Sequence, residues 1–127
     1  VVITHPDLQQ DFRYFIKQKG GMLAKGRLLG IQFDTLFTDD LYFKISENAI
    51  EMAEKLKEIL HKKGYKFFLE SPTNQQFIIL TNEQMEAISQ KCRFGFWERI
   101  DENRCVVRFA TSFATTKADI EALADII

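Results

Sequence analysis

The sequence predicts an α+β fold in which a small antiparallel sheet is covered by helices. Three observations point there. From Tyr65 onward the order reads strand, strand, helix, strand, strand, helix; both pairs of strands are joined by short polar, turn-forming stretches; and a long amphipathic helix precedes them, with an apolar stripe suited to covering one sheet face. With 127 residues, 46% of them hydrophobic and 28% charged, the chain has the composition of an ordinary folded protein with a modest core.

The elements follow in order. Val1-Val2-Ile3 is β-branched and stops at Thr4-His5-Pro6, which reads as the end of a buried strand, so the chain is expected to open inside an element of something larger. Asp7 to Lys19 places Leu8, Phe12, Phe15 and Ile16 on one helical face, with Pro6 suited to the first turn and Gly20-Gly21 as breaker. Met22 to Phe37 reads as a second helix, and from Leu28 to Phe37 it is apolar around much of its circumference. Such a helix expects cover on several sides, from another domain or a second subunit.

Asp39 or Asp40 can cap a third helix that runs to Lys63, with Ile45, Ala49, Met52, Ala53, Leu56, Ile59 and Leu60 at three- and four-residue intervals and Gly64 as the C-terminal cap. Tyr65 to Leu69 and Gln76 to Leu80 follow as strands across the turn Glu70-Ser71-Pro72-Thr73-Asn74. Thr81 with Gln84 forms a capping box for a short helix to about Cys92. Phe94 to Ile100 and Cys105 to Ala110 flank Asp101-Glu102-Asn103 as a hairpin, and Thr116 with Asp119 caps a last helix striped by Ile120, Leu123, Ala124 and Ile127.

Composition narrows the function. The formal net charge is -1, and no basic stripe is present, so no nucleic-acid partner is expected. The lysines from Lys55 to Lys66 alternate with Glu54 and Glu58, as on a solvated helix face. Cys92 and Cys105 form no CxxC pair and have no histidine at ligand spacing, which indicates neither a disulfide framework nor a zinc site and favours a reduced, cytoplasmic setting. No apolar run approaches the roughly 20 residues that cross a bilayer, and the start lacks a signal-peptide layout, so no membrane association is expected.

Chemistry has few places to sit. His61 falls in the last turn of a helix, where the dipole favours a cation, and His5 precedes a proline. Gly20, Gly21, Gly26 and Gly30 make no phosphate-cradling pattern after a strand. Two features stand out. Arg108 lies between Val106-Val107 and Phe109-Ala110 in an apolar strand, where a guanidinium needs a partner such as a carboxylate, either internal or a ligand's. Lys25 and Arg27 open a helix that turns almost wholly apolar; cations there oppose the dipole unless they face an anion, although they also read as surface cations on apolar stems.

Three segments carry a resemblance. They are the run from Lys17 to Phe33 (KQKGGMLAKGRLLGIQF), Ser71 to Phe77 (SPTNQQF) and Val107 to Thr116 (VRFATSFATT). Together, and in this order, they resemble the low-specificity L-threonine aldolases of the aromatic amino acid beta-eliminating lyase family, which have the aspartate-aminotransferase-like fold and use pyridoxal 5'-phosphate. The resemblance implies that residues 1–38 are the end of the large cofactor domain, 39–64 a connecting helix and 65–127 the small C-terminal domain. It implies that Arg108 binds the substrate α-carboxylate, that Thr73 and Asn74 lie near the substrate, and that Lys25 or Arg27 reaches the cofactor phosphate, often from a neighbouring subunit.

The lysine that bonds the cofactor precedes a strand resembling Val1 to Ile3 in that family, and no lysine of this chain falls at its place; the fragment is therefore expected to hold no catalytic residue, to bind no cofactor alone and to be inactive alone. The implied activity of the intact enzyme is cleavage of L-threonine or L-allo-threonine to glycine and acetaldehyde, with a small amino acid as substrate and a homodimer or homotetramer as the assembly. Phe113 stands where relatives often carry tryptophan. Two other readings remain open: a β-eliminating lyase acting on another amino acid, and a non-enzymatic binding or dimerisation module in which Arg108 is paired internally and Leu28 to Phe37 forms an interface.

Overall fold

The computed structural model describes residues 3–127; Val1 and Val2 of the expected strand end lie outside the described residues, and Ile3 is in irregular chain. The chain divides into two compact units, Val1–Asp40 and Leu41–Ile127.

The first unit holds α1 (Pro6–Gln9), α2 (Phe12–Gln18), α3 (Arg27–Phe37) and a 3-10 turn at Thr38–Asp40. The single helix expected from Asp7 to Lys19 is thus two. Asp11 has φ 57°, a left-handed conformation that aspartate tolerates better than most residues, and the chain restarts there. Helix α2 closes with Gly20 at φ 74°: the Gly20 amide donates to Lys17 O at 3.1 Å and the Gly21 amide to Ile16 O at 2.8 Å, the paired bonds of a Schellman ending.

Helix α3 begins at Arg27 rather than at Met22; Gly26 falls in the stretch between, and glycine resists helix most among non-proline residues. No described residue of this unit is buried. On α3, Leu28, Ile31, Phe33 and Phe37 are each more than half exposed, and the Phe33 and Phe37 rings stack at 6.3 Å.

The second unit contains α4 (Leu41–Lys62), β1 (Lys66–Leu69), β2 (Gln75–Thr81), α5 (Asn82–Ser89), β3 (Gly95–Arg99), β4 (Arg104–Ala110) and α6 (Lys117–Ile126). The strands form the expected antiparallel sheet in the order β1-β2-β4-β3. The central β2–β4 ladder is regular from Gln75 opposite Ala110 to Thr81 opposite Arg104. Both outer pairings slip: β1–β2 between Phe67 and Leu69, and β3–β4 between Phe96 and Glu98.

Strand alternation sorts the two faces. Ile78 and Leu80 of β2 with Cys105, Val107 and Phe109 of β4 join Met52, Leu56 and Leu60 of α4, Ile88 of α5 and Ile120 of α6 in one core. The i, i+4 spacing of Met52, Leu56 and Leu60 aligns them on a single stripe of α4, as the sequence pattern requires.

The start of α4 differs from expectation. Asp39 and Asp40 have φ 52° and 59°, so the helix is approached through a left-handed kink and not through the extended geometry of an N-cap. Its end is as expected: Gly64, at φ 78°, donates to His61 O at 3.0 Å while Tyr65 donates to Leu60 O at 3.1 Å, turning the chain toward β1. Lys55 and Lys57 pair with Glu51 and Glu54 along the wetter side of α4, whereas Lys66 opens β1 and is not on that helix. Both capping boxes form. The Thr81 hydroxyl accepts from the Gln84 amide at 3.2 Å and the Thr116 hydroxyl from the Asp119 amide at 3.2 Å, each answered by the reverse bond.

Candidate functional site

Strand β4 alternates, and because Val107 and Phe109 join the core, Arg108 between them stands on the opposite sheet face. Its neighbours in register are Phe77 on β2 and Gly95 on β3. The guanidinium is half-buried. Nη1 donates to Gln75 Oε1 at 3.3 Å, and Cζ lies 5.9 Å from the centre of the Trp97 ring. Trp97 in turn meets Phe77 edge to face, with ring centres 4.9 Å apart at 72°.

Of the two partners left open by the sequence, an internal carboxylate is not there: among the described residues, Arg108 makes no ion pair. A neutral amide and an aromatic face hold the cation instead, and neither cancels its charge. Arg108 is thus an uncompensated, partly desolvated guanidinium. A planar anion with two oxygens is the ligand that such a group binds best.

The loop before β2 reaches this arginine through Gln75. Within the loop, the hydroxyls of Ser71 and Thr73 lie 2.9 Å apart, and the Thr73 hydroxyl accepts from the Gln75 amide at 3.2 Å. Asn74 donates its side-chain amide to Thr111 O at 2.7 Å. Gln76, fully buried, donates to Thr73 O at 2.9 Å and Ser71 O at 3.3 Å. The two polar residues singled out in this loop therefore shape the loop itself, while their neighbour Gln75 touches the guanidinium.

The segment after β4 is tied down as well. Thr111 donates its hydroxyl to Ala49 O at 2.6 Å, and the Asn48 amide donates to Thr115 O at 3.1 Å and to Ser112 O and Phe113 O at 3.3 Å. The end of the β2–β4 ladder nearer Arg108, where Gln75 faces Ala110, is thereby anchored to α4.

Lys25 and Arg27 lie in the first unit. Lys25 belongs to the turn before α3, its carbonyl accepting from the Leu28 amide at 3.0 Å, and Arg27 is the first residue of the helix. Both are exposed, and neither forms an ion pair among the described residues.

Other titratable groups have structural employment. His61 pairs with Glu70 at 3.2 Å and stacks on Phe67 with ring centres 4.3 Å apart. Burial pushes the Cys92 and Cys105 thiols and the Tyr65 phenol above their usual pKa, which is the reverse of what an activated nucleophile needs. Among the described residues no cluster of histidine, cysteine or acid could hold a metal ion, and no helix is long and apolar enough to cross a membrane.

Sequence reasoning found Arg108 from its apolar flanks but missed Gln75, Gly95 and Trp97. Gln75 and Trp97 carry no isolated signal. They become visible only once the register of β2, β4 and β3 is known: Trp97, two residues from Gly95, shares the sheet face of Arg108, and the slip leaves it without a partner in register on β4.

No family profile and no curated protein sequence matches the chain. A solved structure does. The threonine aldolase of Leishmania major is 33% identical, superposes with a TM-score of 0.87 and covers 94% of this chain, which spans 35% of that enzyme's length. The α+β architecture, with its antiparallel sheet of four strands, is that of the aldolase. On fold and on identity along nearly its whole length, the chain matches the C-terminal part of a threonine aldolase.

Proposed function

We propose that this chain is the C-terminal part of a pyridoxal-phosphate-dependent amino acid lyase that cleaves L-threonine or L-allo-threonine to glycine and acetaldehyde. The observation that carries the reading is the state of Arg108: partly desolvated, steadied by Gln75 and Trp97, and without an acidic partner among the described residues. Such a guanidinium suits an amino acid's α-carboxylate, which it can take through two parallel hydrogen bonds. Holding the carboxylate fixes the rotation of Cα and so selects which of its bonds is broken.

The residues also fit the cofactor. Lys25 and Arg27 are exposed cations, unpaired among the described residues and placed at the start of α3, a suitable pair for a phosphate group. When bound, pyridoxal phosphate supplies the electron sink for the charge left on Cα. Thr73 and Asn74 support the substrate side by fixing the loop from which Gln75 reaches Arg108. In this reading residues 1–38 complete the large domain, 39–64 connect, and 65–127 form the small domain. The chain assigns no residue to bond breaking itself, and residues 1–127 alone are expected to be inactive. The working enzyme is a cytoplasmic homo-oligomer.

The test is the full-length protein supplied with pyridoxal phosphate and either threonine isomer. Acetaldehyde and glycine in equal amounts support the reading; ammonia with a keto acid moves the enzyme to the β-eliminating lyases. Arg108→Lys keeps the charge and loses the fork, so KM rises by about tenfold or more. An unchanged KM removes Arg108 from the site.

A further inference from the structure

We infer that Trp97 and Gln75 are positioning residues for the Arg108 guanidinium, and that Gly95 keeps its Nε–Nη2 edge open as the fork that receives a carboxylate. The inference deepens the reading of Arg108 as the carboxylate clamp and rests on it.

An arginine side chain has several rotatable bonds, and a two-point clamp works only if the guanidinium plane is set beforehand. Two contacts set it here, and a third steadies one of them. Gln75 Oε1 holds Nη1 at 3.3 Å, and the Trp97 ring lies 5.9 Å from Cζ. Trp97 is itself steadied by the edge of Phe77, a side chain only 8% exposed. Gly95 sits opposite Arg108 in the β3–β4 register, and a methyl group there would stand 3.4 Å from Nε and 3.5 Å from Nη2.

Backbone shape does not ask for glycine at 95. The positive-φ glycines among the described residues are Gly20 and Gly64, so alanine would fit the Gly95 backbone, and glycine within a strand costs stability. What glycine provides is space beside the one pair of guanidinium N–H groups that Gln75 does not engage.

The experiment uses the full-length enzyme and reads KM for L-threonine, kcat, the calorimetric Kd for glycine and the melting temperature. Trp97→Leu raises KM and Kd by about tenfold, with kcat and melting temperature little changed, and Trp97→Phe restores most of the affinity. Gly95→Ala raises KM and Kd while melting at the same temperature or higher. In an Arg108→Met background neither substitution adds a further loss, because the group they act through is gone.

Unchanged KM and Kd in Trp97→Leu and Gly95→Ala, while Arg108→Met weakens binding, would overturn the inference and leave the clamp standing. A full-sized Trp97→Leu effect in the Arg108→Met background would overturn it too. Arg108→Met with unaltered affinity would instead bring down the clamp, and this inference with it.

Discussion

Asn74 and Thr111 close the end of the central ladder on each other: the Asn74 side-chain amide donates to Thr111 O at 2.7 Å, and the Thr111 amide donates to Asn74 O at 3.0 Å. The Thr111 hydroxyl then reaches Ala49 O on α4. One pair of residues thus fastens the loop before β2, the exit from β4 and the long helix. Asn74→Ala and Thr111→Val are each expected to cost about 1–2 kcal/mol, since each strands a carbonyl or deletes a buried bond. Urea midpoints of the two variants test this, and an unshifted midpoint for both would show that the fastening is ornamental.

Gln76 is a second such point, with a sharper signature. Its Nε2 serves two carbonyls, while its fully buried Oε1 has no partner among the described residues. Gln76→Glu replaces the donor with a carboxylate oxygen facing those carbonyls, at a loss of about 3 kcal/mol or more near neutral pH. Burial would raise the new carboxyl's folded pKa above its unfolded value. The penalty is therefore largest at high pH and shrinks as pH falls through the folded pKa, where a neutral carboxyl can donate. A penalty that grew on acidification would contradict this account.

The Thr116–Asp119 capping box sets a pH dependence of the opposite sign. Hydrogen bonds from the Thr116 backbone and side chain hold the Asp119 carboxyl below its ordinary 3.8. Its stabilisation is complete above the unfolded pKa and is lost as pH falls through the lower folded value. The difference in thermal midpoint between the native sequence and Asp119→Asn should thus be flat near neutrality and narrow in the acid range. Thr116→Ala is expected to cost about 1 kcal/mol by stranding the first-turn amide.

Thiol chemistry offers a check on the core. Cys105 is fully buried in the sheet, its Sγ 3.3 Å from Met85 Sδ, and burial raises both thiol pKa values. Under native conditions an alkylating reagent should modify Cys92 slowly and Cys105 far more slowly still, with both reacting in denaturant. Mass spectrometry of timed aliquots reads the order; preferential loss of Cys105 would mean that β4 is not where the sheet places it.

Local signals proved readable from sequence. The Thr81 and Thr116 caps, the Gly64 ending and the stripe on α4 each depend on residues within a few positions of one another. The break at Asp11 and the late start of α3 were not, because a left-handed aspartate and a single glycine, Gly26, shift the balance by amounts that apolar periodicity hides. Arg108 was legible as a cation out of place. Its surroundings were not: Gln75 is far away in sequence, and Trp97 comes to Arg108 only through the pairing of β3 with β4.

The two slips in the sheet fall on its outer pairings, while the central pairing runs without interruption. A regular outermost strand offers a straight row of unspent amides and carbonyls on which another chain can template itself. Here β1 is short and slipped at one rim, and β3 is slipped at the other. Each border of the sheet is spoiled as a template while its interior stays regular, so strand-by-strand growth into fibrils is checked at both margins by backbone shape, before any charge or cover is called upon.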